Sequence, residues 1–548
     1  MNNLNPIVIE LLKKRGITEE SDIAEFLSEK PRKTYDPFLL SDMEAGVDLI
    51  LSKIKEGLKI CIYGDYDADG ITSIALLYHV LSNLTDNLVY YIPSRFDEGY
   101  GLNKDAIQAI KDDGAGLIVT VDCGSVSYDE VEYAKQIGME IVVTDHHSIT
   151  DKKADCLLIN PKRSDCNYPF KNLAGVGVSF KVAQALQQKA GLSKAVINEV
   201  LDLVAIGTIG DIVPLVDENR TMVKYGLAQI NRKPRKGIEA LIDGISLKRG
   251  RITSENIAFA IVPHINAAGR MLDAKTAAKL LISEDDNEIR ECVEELIQNN
   301  RNRKNVQEDT YKTCVKEVDD KGAGNFILIN SDEIHEGIAG IVAGKLKEKY
   351  ERPAIIVTPS GDEGGFLKGT GRSIEKINLY ELLKTCDDLF EKFGGHAGAC
   401  GFLMKKENLD EFVKRINDRI EVMLENDNML LSKERKADLE VISDEITIRL
   451  AHDIERLAPF GSQNPKPVFK VNANDIGTLT KMGQDGQHAR FTLRTSRGPL
   501  LTCVMFNGTQ KCEEAFSRGK MAGIYGTVET QVWNGTERLQ LIVSHIEI

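Results

Sequence analysis

Cysteine pairs at metal-binding spacing are missing from this sequence. The chain has ten cysteines among 548 residues, and none of them forms a C-x-x-C pair with another. Zinc fingers and related structural zinc sites commonly use such pairs, so this class of protein is not indicated. Scattered cysteines are typical of a reduced cytosol, where disulfides are rare.

Long apolar runs are also missing, and no secretory leader is expected. No stretch approaches the roughly 20 apolar residues that a transmembrane helix needs. The segment Met1–Gly16 carries charges at Glu10, Lys13, Lys14 and Arg15 and contains no apolar run with a cleavage site. A secretory signal is therefore not expected. We predict a cytoplasmic protein without a membrane partner.

A net positive charge, the usual mark of proteins that bind phosphate backbones, is missing too. The formal net charge is −14. This acidic excess fits nucleic-acid binding better if some of the carboxylates serve a metal site. Local basic groups do occur, at Arg232–Arg251 and at Arg301–Lys304. Each group taken alone is explained equally well by a solvated surface.

The length and the periodicity of the chain predict several domains with a parallel α/β core. A chain of 548 residues is too long for one hydrophobic core. Residues 1–45 look helical, and from about residue 58 strand-like and helix-like segments alternate, which is typical of a parallel sheet. The predicted strands are Lys59–Gly64, Leu88–Ile92, Leu117–Val121 and Ile141–Thr144. The predicted helices between them are Ile71–Leu84, Lys104–Lys111 and Val126–Ile137.

Acidic residues and histidines follow three of these strands. Asp65, Asp67 and Asp69 come after the first strand, Asp122 after the third, and Asp145–His147 after the fourth. The carboxyl ends of parallel strands meet at one edge of a sheet, so these groups should converge. Crowded carboxylates repel each other without cations, and carboxylates with imidazole suit Mn²⁺ or Mg²⁺. An aspartate after a strand is common for backbone reasons alone, but three such clusters predict a two-metal site.

Four motifs, in order, carry a resemblance to a known family. They are Gly64–Gly70 (GDYDADG), Val121–Ser125 (VDCGS), Asp145–His147 (DHH) and Gly207–Leu215 (GTIGDIVPL). The chain resembles the DHH phosphoesterases in the order and the spacing of this series. The resemblance implies that one divalent cation is held by Asp65, Asp67 and Asp122. It implies that a second is held by Asp69, Asp122, His146 and Asp211, so that Asp122 bridges both.

Two positions of the site leave alternatives open. Many members of the family have a histidine four residues before Asp67, where this chain has Tyr63. Asp65 is the candidate that replaces this histidine. The resemblance also implies that His147 contacts the scissile phosphate, although one imidazole of a His–His pair can instead support the other.

The second half of the chain predicts another α/β unit, from strands at Asn325–Asn330 and Ala354–Thr358 and a helix at His335–Tyr350. Gly369–Ser373 (GTGRS) and Gly394–Gly401 (GGHAGACG) each combine glycines with a cation or imidazole. Such segments suit a close approach to phosphate oxygens, although glycines also mark tight turns. Together with His335–Gly340 (HEGIAG) they resemble the DHHA1 domain. The resemblance implies substrate contacts at Arg372, Ser373 and His396.

The segment between the two halves adds a further signature. Ile265–Arg270 (INAAGR), preceded by His264, resembles a motif of the RecJ family. Arg270 would clamp a phosphate bidentately, whereas His264 and Asn266 are either substrate contacts or structural neighbours. Asp286–Val318 lacks proline and glycine and predicts a long connecting helix. A bundle helix is the alternative.

The last part of the chain is rich in strands. Five apolar-alternating runs lie near residues 468–480, 487–495, 499–506, 520–530 and 537–547. Five such strands fit an OB-fold, which commonly binds single strands through aromatic and basic side chains. The candidate contacts are Arg490, Arg494 and Trp533.

This arrangement resembles the RecJ family over nearly the whole chain. It implies an α/β fold in which a DHH parallel-sheet domain is joined by a long helix to a smaller DHHA1 domain, followed by an OB-like β-barrel. The expected segments are 1–45 (N-terminal helical segment), 46–230 (DHH catalytic domain), 231–320 (helical connector), 321–425 (DHHA1 substrate-binding domain) and 430–548 (OB-like domain).

The same resemblance implies a function in DNA repair and recombination. The chain would use two Mn²⁺ or Mg²⁺ ions to hydrolyse single-stranded DNA from 5′ to 3′ and release 5′-mononucleotides. The catalytic residues would be Asp122, His147 and Arg270. Single-strand-binding protein and a helicase are the expected protein partners.

Two other functions compete with this one. A DHH phosphodiesterase of short oligonucleotides or cyclic dinucleotides would share the metal site, but the carboxyl-terminal strand domain argues against it. A noncatalytic single-strand binder would keep the fold, but the intact acidic residues argue against that.

Overall fold

The computed structural model describes residues 4–95, 98–149, 152–271, 274–360, 365–432, 435–472, 476–495, 500–518, 523–533 and 535–547. The chain forms two compact units. The first unit comprises Met1–Pro263, Ala277–Arg290 and Lys436–Ile548. The second comprises His264–Thr276 and Glu291–Arg435. Among the described residues, no helix combines the length and the apolar character needed to cross a membrane.

The amino-terminal segment is helical, as the sequence predicts. Its helices are α1 (Pro6–Lys14), α2 (Glu20–Leu27) and α3 (Met43–Lys55). The Asn5 side chain caps α1 by accepting a hydrogen bond from the amide of Ile7. Buried residues of α1 and α2 share one hydrophobic core with the carboxyl-terminal strands. The amide of Asn5 also donates to Asp453 (3.0 Å), which ties the two ends of the chain together.

The first sheet is parallel throughout and confirms the predicted fold class. Its strands are β1 (Lys59–Gly64), β2 (Leu88–Tyr91), β3 (Ala115–Val121), β4 (Glu140–Thr144) and β5 (Leu157–Ile159). They lie in the order β2-β1-β3-β4-β5. The helices that connect and cover them are α4 (Ala68–Leu81), α5 (Lys104–Asp112), α6 (Tyr128–Gln136) and α7 (Gly175–Ala190). Since β1, β3 and β4 are neighbours, their carboxyl ends share one edge.

A set of helices completes this part of the first unit. They are α8 (Lys194–Asn198), α9 (Leu201–Gly210), α10 (Asp217–Arg232), α11 (Lys236–Gly244) and the short α12 (Ser254–Asn256). A π-helical turn, Ile257–Ile261, follows α12. Helix α9 is buried along almost its whole length, and it packs against α4, α7 and α10.

The second unit is the smaller α/β unit that the sequence predicts. The segments α13 (Val262–Met271), α14 (Lys275–Ile282) and α15 (Asp286–Lys321) lead into it. Helix α15 confirms the long helix predicted over Asp286–Val318. The remaining elements are β6 (Ile327–Asn330), α16 (Glu336–Tyr350), β7 (Ala354–Pro359), β8 (Phe366–Arg372), α17 (Leu379–Lys384), β9 (Phe390–His396), β10 (Ala399–Lys405) and α18 (Leu409–Asn426). The sheet order is β6-β7-β8-β10-β9.

The two glycine-rich motifs of this unit lie largely in strands. Residues Gly369–Arg372 belong to β8, and Gly394–Gly401 spans the turn between β9 and β10. A Cβ on Gly369 would lie 2.0 Å from Cζ of Phe402, so this glycine makes room for an aromatic ring of the neighbouring strand. Packing therefore accounts for part of the glycine content.

The carboxyl-terminal part of the first unit forms a seven-stranded sheet. Its elements are β11 (Leu439–Ile442), α19 (Ile448–Glu455), β12 (Phe469–Asn472), β13 (Thr480–Met482), β14 (His488–Arg494), β15 (Leu500–Met505), α20 (Thr509–Arg518), β16 (Gly523–Trp533) and β17 (Thr536–Glu547). The strand order is β11-β12-β16-β17-β15-β14-β13. The first of the five predicted runs is divided into β12 and β13, and β11 pairs alongside β12.

Candidate metal centre

Carboxylates and imidazoles that are far apart in sequence meet at the carboxyl edge of the first sheet. They come from the loops after β1, β3 and β4, from the first turn of α4 and from the end of α9. Three groups of side chains can be distinguished, and within each group the possible ligand atoms all lie within 4.8 Å of one another. The groups are Asp65–Asp67–Asp122, Asp69–His146–Asp211 and Asp122–His146–His147.

His146 is the centre of this cluster. Its Nε2 lies 3.1 Å from Oδ1 of Asp122, 3.6 Å from Oδ2 of Asp211 and 3.8 Å from Oδ2 of Asp69. The side chains of His146, Asp69 and Asp122 are buried, whereas that of Asp211 is partly exposed. The cluster is therefore closed on the side of the sheet and open to solvent near Asp211.

Backbone amides at two helix starts hold the first carboxylates. Asp67 is the N-cap of α4 and accepts hydrogen bonds from the amides of Asp69 (2.9 Å) and Gly70 (3.1 Å). Asp69 accepts from the amides of Gly175 (2.6 Å) and Val176 (2.8 Å) at the start of α7. The amino ends of helices favour negative charge, so both helices stabilise ionised carboxylates.

Glycines allow these elements to approach the cluster. A Cβ on Gly175 would lie 2.4 Å from Oδ1 of Asp122, and one on Gly70 would lie 2.5 Å from the carbonyl oxygen of Asp65. A Cβ on Gly207 would lie 2.9 Å from Oδ1 of Asp69. Real Cβ atoms essentially never come this close to other atoms, so a larger residue at any of these positions would force its neighbours to shift.

Asp122 is held in an unusual backbone conformation. Its φ is 60°, in the left-handed region that few residues other than glycine adopt. The hydroxyl of Tyr100 donates a hydrogen bond to its carbonyl oxygen (3.2 Å). Strained backbone of this kind is found mainly where the surrounding structure fixes a functional group.

Asp145 orients its neighbours instead of joining the three groups. Its Oδ2 accepts from the amide of Ser125 (2.9 Å), and its Oδ1 accepts from the amide of His146 (2.7 Å). Nδ1 of His147 lies 2.8 Å from the same Oδ1. Such a carboxylate fixes the orientation of an imidazole.

Several carboxylates are buried close together in the cluster, where their negative charges would repel one another. Burial, together with neighbouring carboxylates, raises the pKa values of Asp65, Asp69 and Asp122 well above the usual range. Burial and the charge of Asp67 raise the pKa of Asp211 to about 7. Cations at the cluster would relieve this repulsion.

The pKa values of the two histidines are shifted in opposite directions. Burial, with the nearby charge of His147, lowers the pKa of His146 to about 3. Burial acts in the same direction on His147, but its hydrogen bond to Asp145 and the surrounding carboxylates outweigh it and raise the pKa to about 9. A neutral imidazole such as that of His146 has the protonation state that a metal ligand needs.

Unsatisfied atoms of the cluster fit a divalent cation. Among the described residues, Oδ1 of Asp65 is buried without a hydrogen-bond partner, and Oδ1 of Asp122 and Nε2 of His146 lie 3.1 Å apart without the geometry of a hydrogen bond. Such orphaned polar atoms are rare in proteins and call for an ion or another partner. Oxygen donors with one imidazole are the ligand set that suits Mn²⁺ and Mg²⁺.

Tyr63 does not replace the histidine found at its position in many DHH proteins. Its ring is fully buried in the core on one side of the sheet and stacks on Tyr91. Its hydroxyl donates to the carbonyl oxygen of Gly101 (2.8 Å). Asp65, in contrast, lies in the group that contains Asp67 and Asp122.

Comparison with known proteins identifies the family. Sequence models of three domains match: the DHH family N-terminal domain at residues 59–208, the DHHA1 domain at 319–422 and the RecJ OB domain at 437–545. The single-stranded-DNA-specific exonuclease RecJ of Bacillus subtilis (strain 168) is 36% identical over 99% of this chain and 68% of its own length. The enzyme of the same name from Escherichia coli (strain K12) is 31% identical over 99% of this chain and 96% of its own length. The chain belongs to the RecJ family.

Solved structures agree with this assignment. RecJ from Thermus thermophilus in complex with Mn²⁺ aligns over 100% of this chain and 76% of its own, with a TM-score of 0.82 and 26% identity. The Mg²⁺ complex from the same organism aligns over 100% and 75%, with a TM-score of 0.77 and 25% identity. One of these RecJ structures therefore contains Mn²⁺ and the other Mg²⁺, the two kinds of cation that the ligand set favours.

Two of the predicted substrate residues of the second unit, Arg270 and Arg372, lie near the first turns of α16. Nη1 of Arg270 donates to the carbonyl oxygen of Gly337 (3.1 Å). A Cβ on Gly340 would lie 2.8 Å from Nη2 of Arg372, so the glycine leaves room for this guanidinium. His335 caps α16 through Nδ1, which accepts from the amide of Gly337 (3.1 Å). Two arginines thus lie beside the amino end of a helix.

Other predicted residues of this unit have partners within it. His264 is 8% exposed, and its Nε2 lies 2.9 Å from Nδ2 of Asn300. Asn266 lies on the same helix, α13. The buried hydroxyl of Ser373 donates to the carbonyl oxygen of Ile377 (2.8 Å). His396 ends β9 and is exposed, and its Nδ1 accepts from the amide of Gly398 (3.2 Å).

The candidates of the carboxyl-terminal domain lie on its sheet. Arg490 and Arg494 are exposed residues of β14, on the face of that strand opposite to Phe491 and Leu493 in the core. Trp533 ends β16, and its side chain lies outside the described residues.

Sequence reasoning missed two residues at the cluster, Gly175 and Tyr100. Gly175 lies in the segment AGVGVS, whose glycines read as an ordinary helix start. Tyr100 lies in the segment before α5, about twenty residues before Asp122, and its hydroxyl also lies 3.1 Å from Nδ1 of His147. Both act through contacts that the sequence order does not show.

Proposed function

We propose that this chain is an exonuclease that depends on divalent cations, hydrolyses single-stranded DNA from its 5′ end and releases 5′-mononucleotides. The observation that carries the proposal is the cluster of orphaned carboxylates and imidazole in a chain whose full-length relatives are named single-stranded-DNA-specific exonucleases. The polarity and the product follow from the family resemblance. The enzyme would act in DNA repair and recombination in the cytoplasm.

The metal ligands are proposed from the three groups of the cluster. One cation would be held by Asp65, Asp67 and Asp122. The other would be held by Asp69, Asp122, His146 and Asp211. The closeness of the donor atoms supports this division, as do the Oδ1 atoms of Asp65 and Asp122, which are buried without a hydrogen bond. When bound, two cations would activate a water molecule as the nucleophile and neutralise charge on the phosphodiester.

The residues of the chain then position the reacting groups. Asp145 holds the ring of His147 through the 2.8 Å contact at Nδ1, so that the imidazole faces the cluster and can contact the scissile phosphate. Tyr100 holds the peptide of Asp122. These contacts fix the geometry before the substrate arrives, which is the condition for efficient in-line attack.

The second unit would supply phosphate contacts. Arg270, Arg372 and His396 are the proposed contacts, supported by the two guanidinium groups beside the amino end of α16. His264, Asn266 and Ser373 remain predicted substrate residues. The internal hydrogen bonds of His264 and Ser373 favour a role in positioning α13 and β8.

The carboxyl-terminal domain, at about residues 430–548, would hold the rest of the strand through Arg490, Arg494 and Trp533. The exposure of the two arginines on one face of β14 supports this role. The other proposed segments are 1–45, 46–230, 231–320 and 321–425. Single-strand-binding protein and a helicase are the proposed partners of an enzyme that degrades one strand.

The test uses a single-stranded oligonucleotide labelled in separate batches at its 5′ and 3′ ends, with Mn²⁺. We expect the 5′ label to leave as a mononucleotide at once, while the 3′-labelled strand shortens as a ladder and a duplex control survives. Cleavage of cyclic or very short substrates alone would assign the chain to another DHH function. Binding without cleavage would favour a noncatalytic binder.

Matched variants connect the activity to the cluster. Asp122→Ala removes the side chain shared by two of the three groups and should abolish hydrolysis while the fold and single-strand binding persist. Asp86→Ala removes an exposed aspartate from the loop before β2 and should leave the activity unchanged. Full activity in Asp122→Ala would refute the assignment.

A further inference from the structure

Ile212, next to Asp211, combines two unfavourable features. Its φ is 58°, and for a β-branched residue the left-handed region is a genuine outlier. Burial of the side chain would offset such strain, yet Ile212 is 73% exposed. Strain that the fold does not use for packing is expected mainly at functional positions.

A second exposed apolar side chain belongs to the same corner of the domain. Phe259 is 80% exposed, although its neighbours Ile257 and Ile261 are fully buried. It lies on the π-helical turn, which packs against α9. Such turns are rare and occur frequently at functional sites.

The contact between the turn and α9 is close. A Cβ on Gly210 would lie 3.3 Å from Cγ2 of Val262. Ile212 follows Gly210 by two residues, and Phe259 precedes Val262 by three. Both residues therefore belong to chain segments that meet at the end of α9 that carries Asp211.

We propose that Ile212 and Phe259 form an apolar ledge that contacts the base and sugar of the nucleotide next to the scissile phosphate. The inference rests on the proposed function and deepens it. The scissile phosphate would lie at the cluster that contains Asp211. The nucleoside bonded to this phosphate would therefore lie directly beside the cluster. Every unpaired base presents an apolar face, and such contacts are independent of sequence.

A nucleotide explains the position of the ledge better than a protein partner does. A protein bound beside Asp211 would cover the open side of the cluster and block the substrate. In a duplex the base faces are stacked on each other, so the ledge would favour unpaired strands. It would thus contribute to strand selectivity as well as to affinity.

The strain at Ile212 provides a test in which stability and activity change in opposite senses. Ile212→Gly should raise the Tm, because glycine adopts the left-handed region without penalty. The same variant should raise KM for single-stranded DNA about tenfold and change kcat little, since losing one base contact weakens binding by about this factor or more. Phe259→Ser should raise KM similarly.

Ser246→Gly is the matched control. Ser246 is an exposed residue with a φ of 58° that has no place in the cluster. Its replacement should raise the Tm without changing KM. A second measurement uses oligonucleotides with abasic residues at the first two positions of the 5′ end. We expect these oligonucleotides to have a higher KM than intact ones with the wild type. With Ile212→Gly, they should raise KM no further.

Three outcomes would overturn the inference. An unchanged KM in both variants would show that the ledge does not contact the substrate. A lower Tm in Ile212→Gly would show that the side chain stabilises the fold instead. If the wild-type protein cleaves no single strand, both the proposed function and this inference are overturned. If the wild type is active and the variants are unaffected, only the inference is overturned.

Discussion

Gly175→Ala changes the metal centre by one methyl group without removing any ligand. Gly175 begins α7, and its amide donates to Asp69 (2.6 Å). Alanine keeps this amide. Its Cβ would lie 2.4 Å from Oδ1 of Asp122 and 2.6 Å from Cγ of the same residue. The substitution therefore acts on the side chain that both proposed cation sites share.

The size of the effect follows from these distances. Oδ1 of Asp122 must move from 2.4 Å to at least 3.0 Å from the new Cβ, so the carboxylate or the start of α7 shifts by about 0.6 Å or more. A misplacement on the order of 1 Å in a catalytic site costs about 10²-fold in rate. We expect kcat/KM for single-stranded DNA to fall by about 10²-fold and the affinity for Mn²⁺ to fall with it.

The fold should persist. Overpacking costs about 1–3 kcal/mol, and alanine offsets part of this because it is a better helix former than glycine. The assay combines steady-state hydrolysis with calorimetric titration of Mn²⁺ and a thermal melt. Gly344→Ala on α16 is the control, because a Cβ there meets nothing within 4 Å. It should keep full activity. Wild-type activity and Mn²⁺ affinity in Gly175→Ala would refute the reasoning.

Two further predictions concern a hydroxyl and an amine. Tyr100→Phe removes the hydrogen bond to the carbonyl oxygen of Asp122, which is worth about 1 kcal/mol. We expect kcat to fall about fivefold with little change in Tm. An unchanged kcat would contradict this role of Tyr100. Burial and the charge of Arg220 lower the pKa of Lys224 from 10.5 to about 8. The unfolded chain then binds this proton more tightly between pH 8 and 10.5, so the contribution of Lys224 to stability rises with pH. The Tm difference between wild type and Lys224→Met should therefore shift in favour of wild type across this range, and a flat difference would refute it.

Most of the proposed metal ligands could be predicted from sequence because they follow strands closely, whereas Asp211 ends α9 and was expected from the family resemblance alone. The strands at Lys59–Gly64 and Ile141–Thr144 have clear apolar patterns, and neighbouring parallel strands bring their ends together by geometry alone. The convergence of Asp65, Asp122 and His146 at one edge is confirmed by the fold. Whether each side chain binds a cation stays a prediction.

The contacts that shape the centre could not be predicted in the same way. Gly175 and Asp122 are 53 positions apart, and nothing in the local pattern pairs them. Tyr100 reaches the peptide of Asp122 from a loop whose path depends on tertiary packing. Local periodicity specifies elements, whereas such contacts depend on how the elements pack.

The ends of the chain give a second example. The sequence predicts helices at the amino end and strands at the carboxyl end, and both are confirmed. That Leu11 and Ile23 share a core with Phe469 and Leu541 was not predicted, because an amphipathic helix shows that it has a partner but not which one. The parallel pairing of β15 with β17 likewise depends on contacts between residues far apart in sequence, which the local pattern does not specify.

The most direct test of the account is the location of Mn²⁺ in crystals of the protein by anomalous diffraction. We expect two peaks. One should be bound by Asp65, Asp67 and Asp122, and the other by Asp69, Asp122, His146 and Asp211. Both should weaken or vanish in Asp122→Ala. Peaks at other residues, or two full peaks in that variant, would contradict the proposed centre.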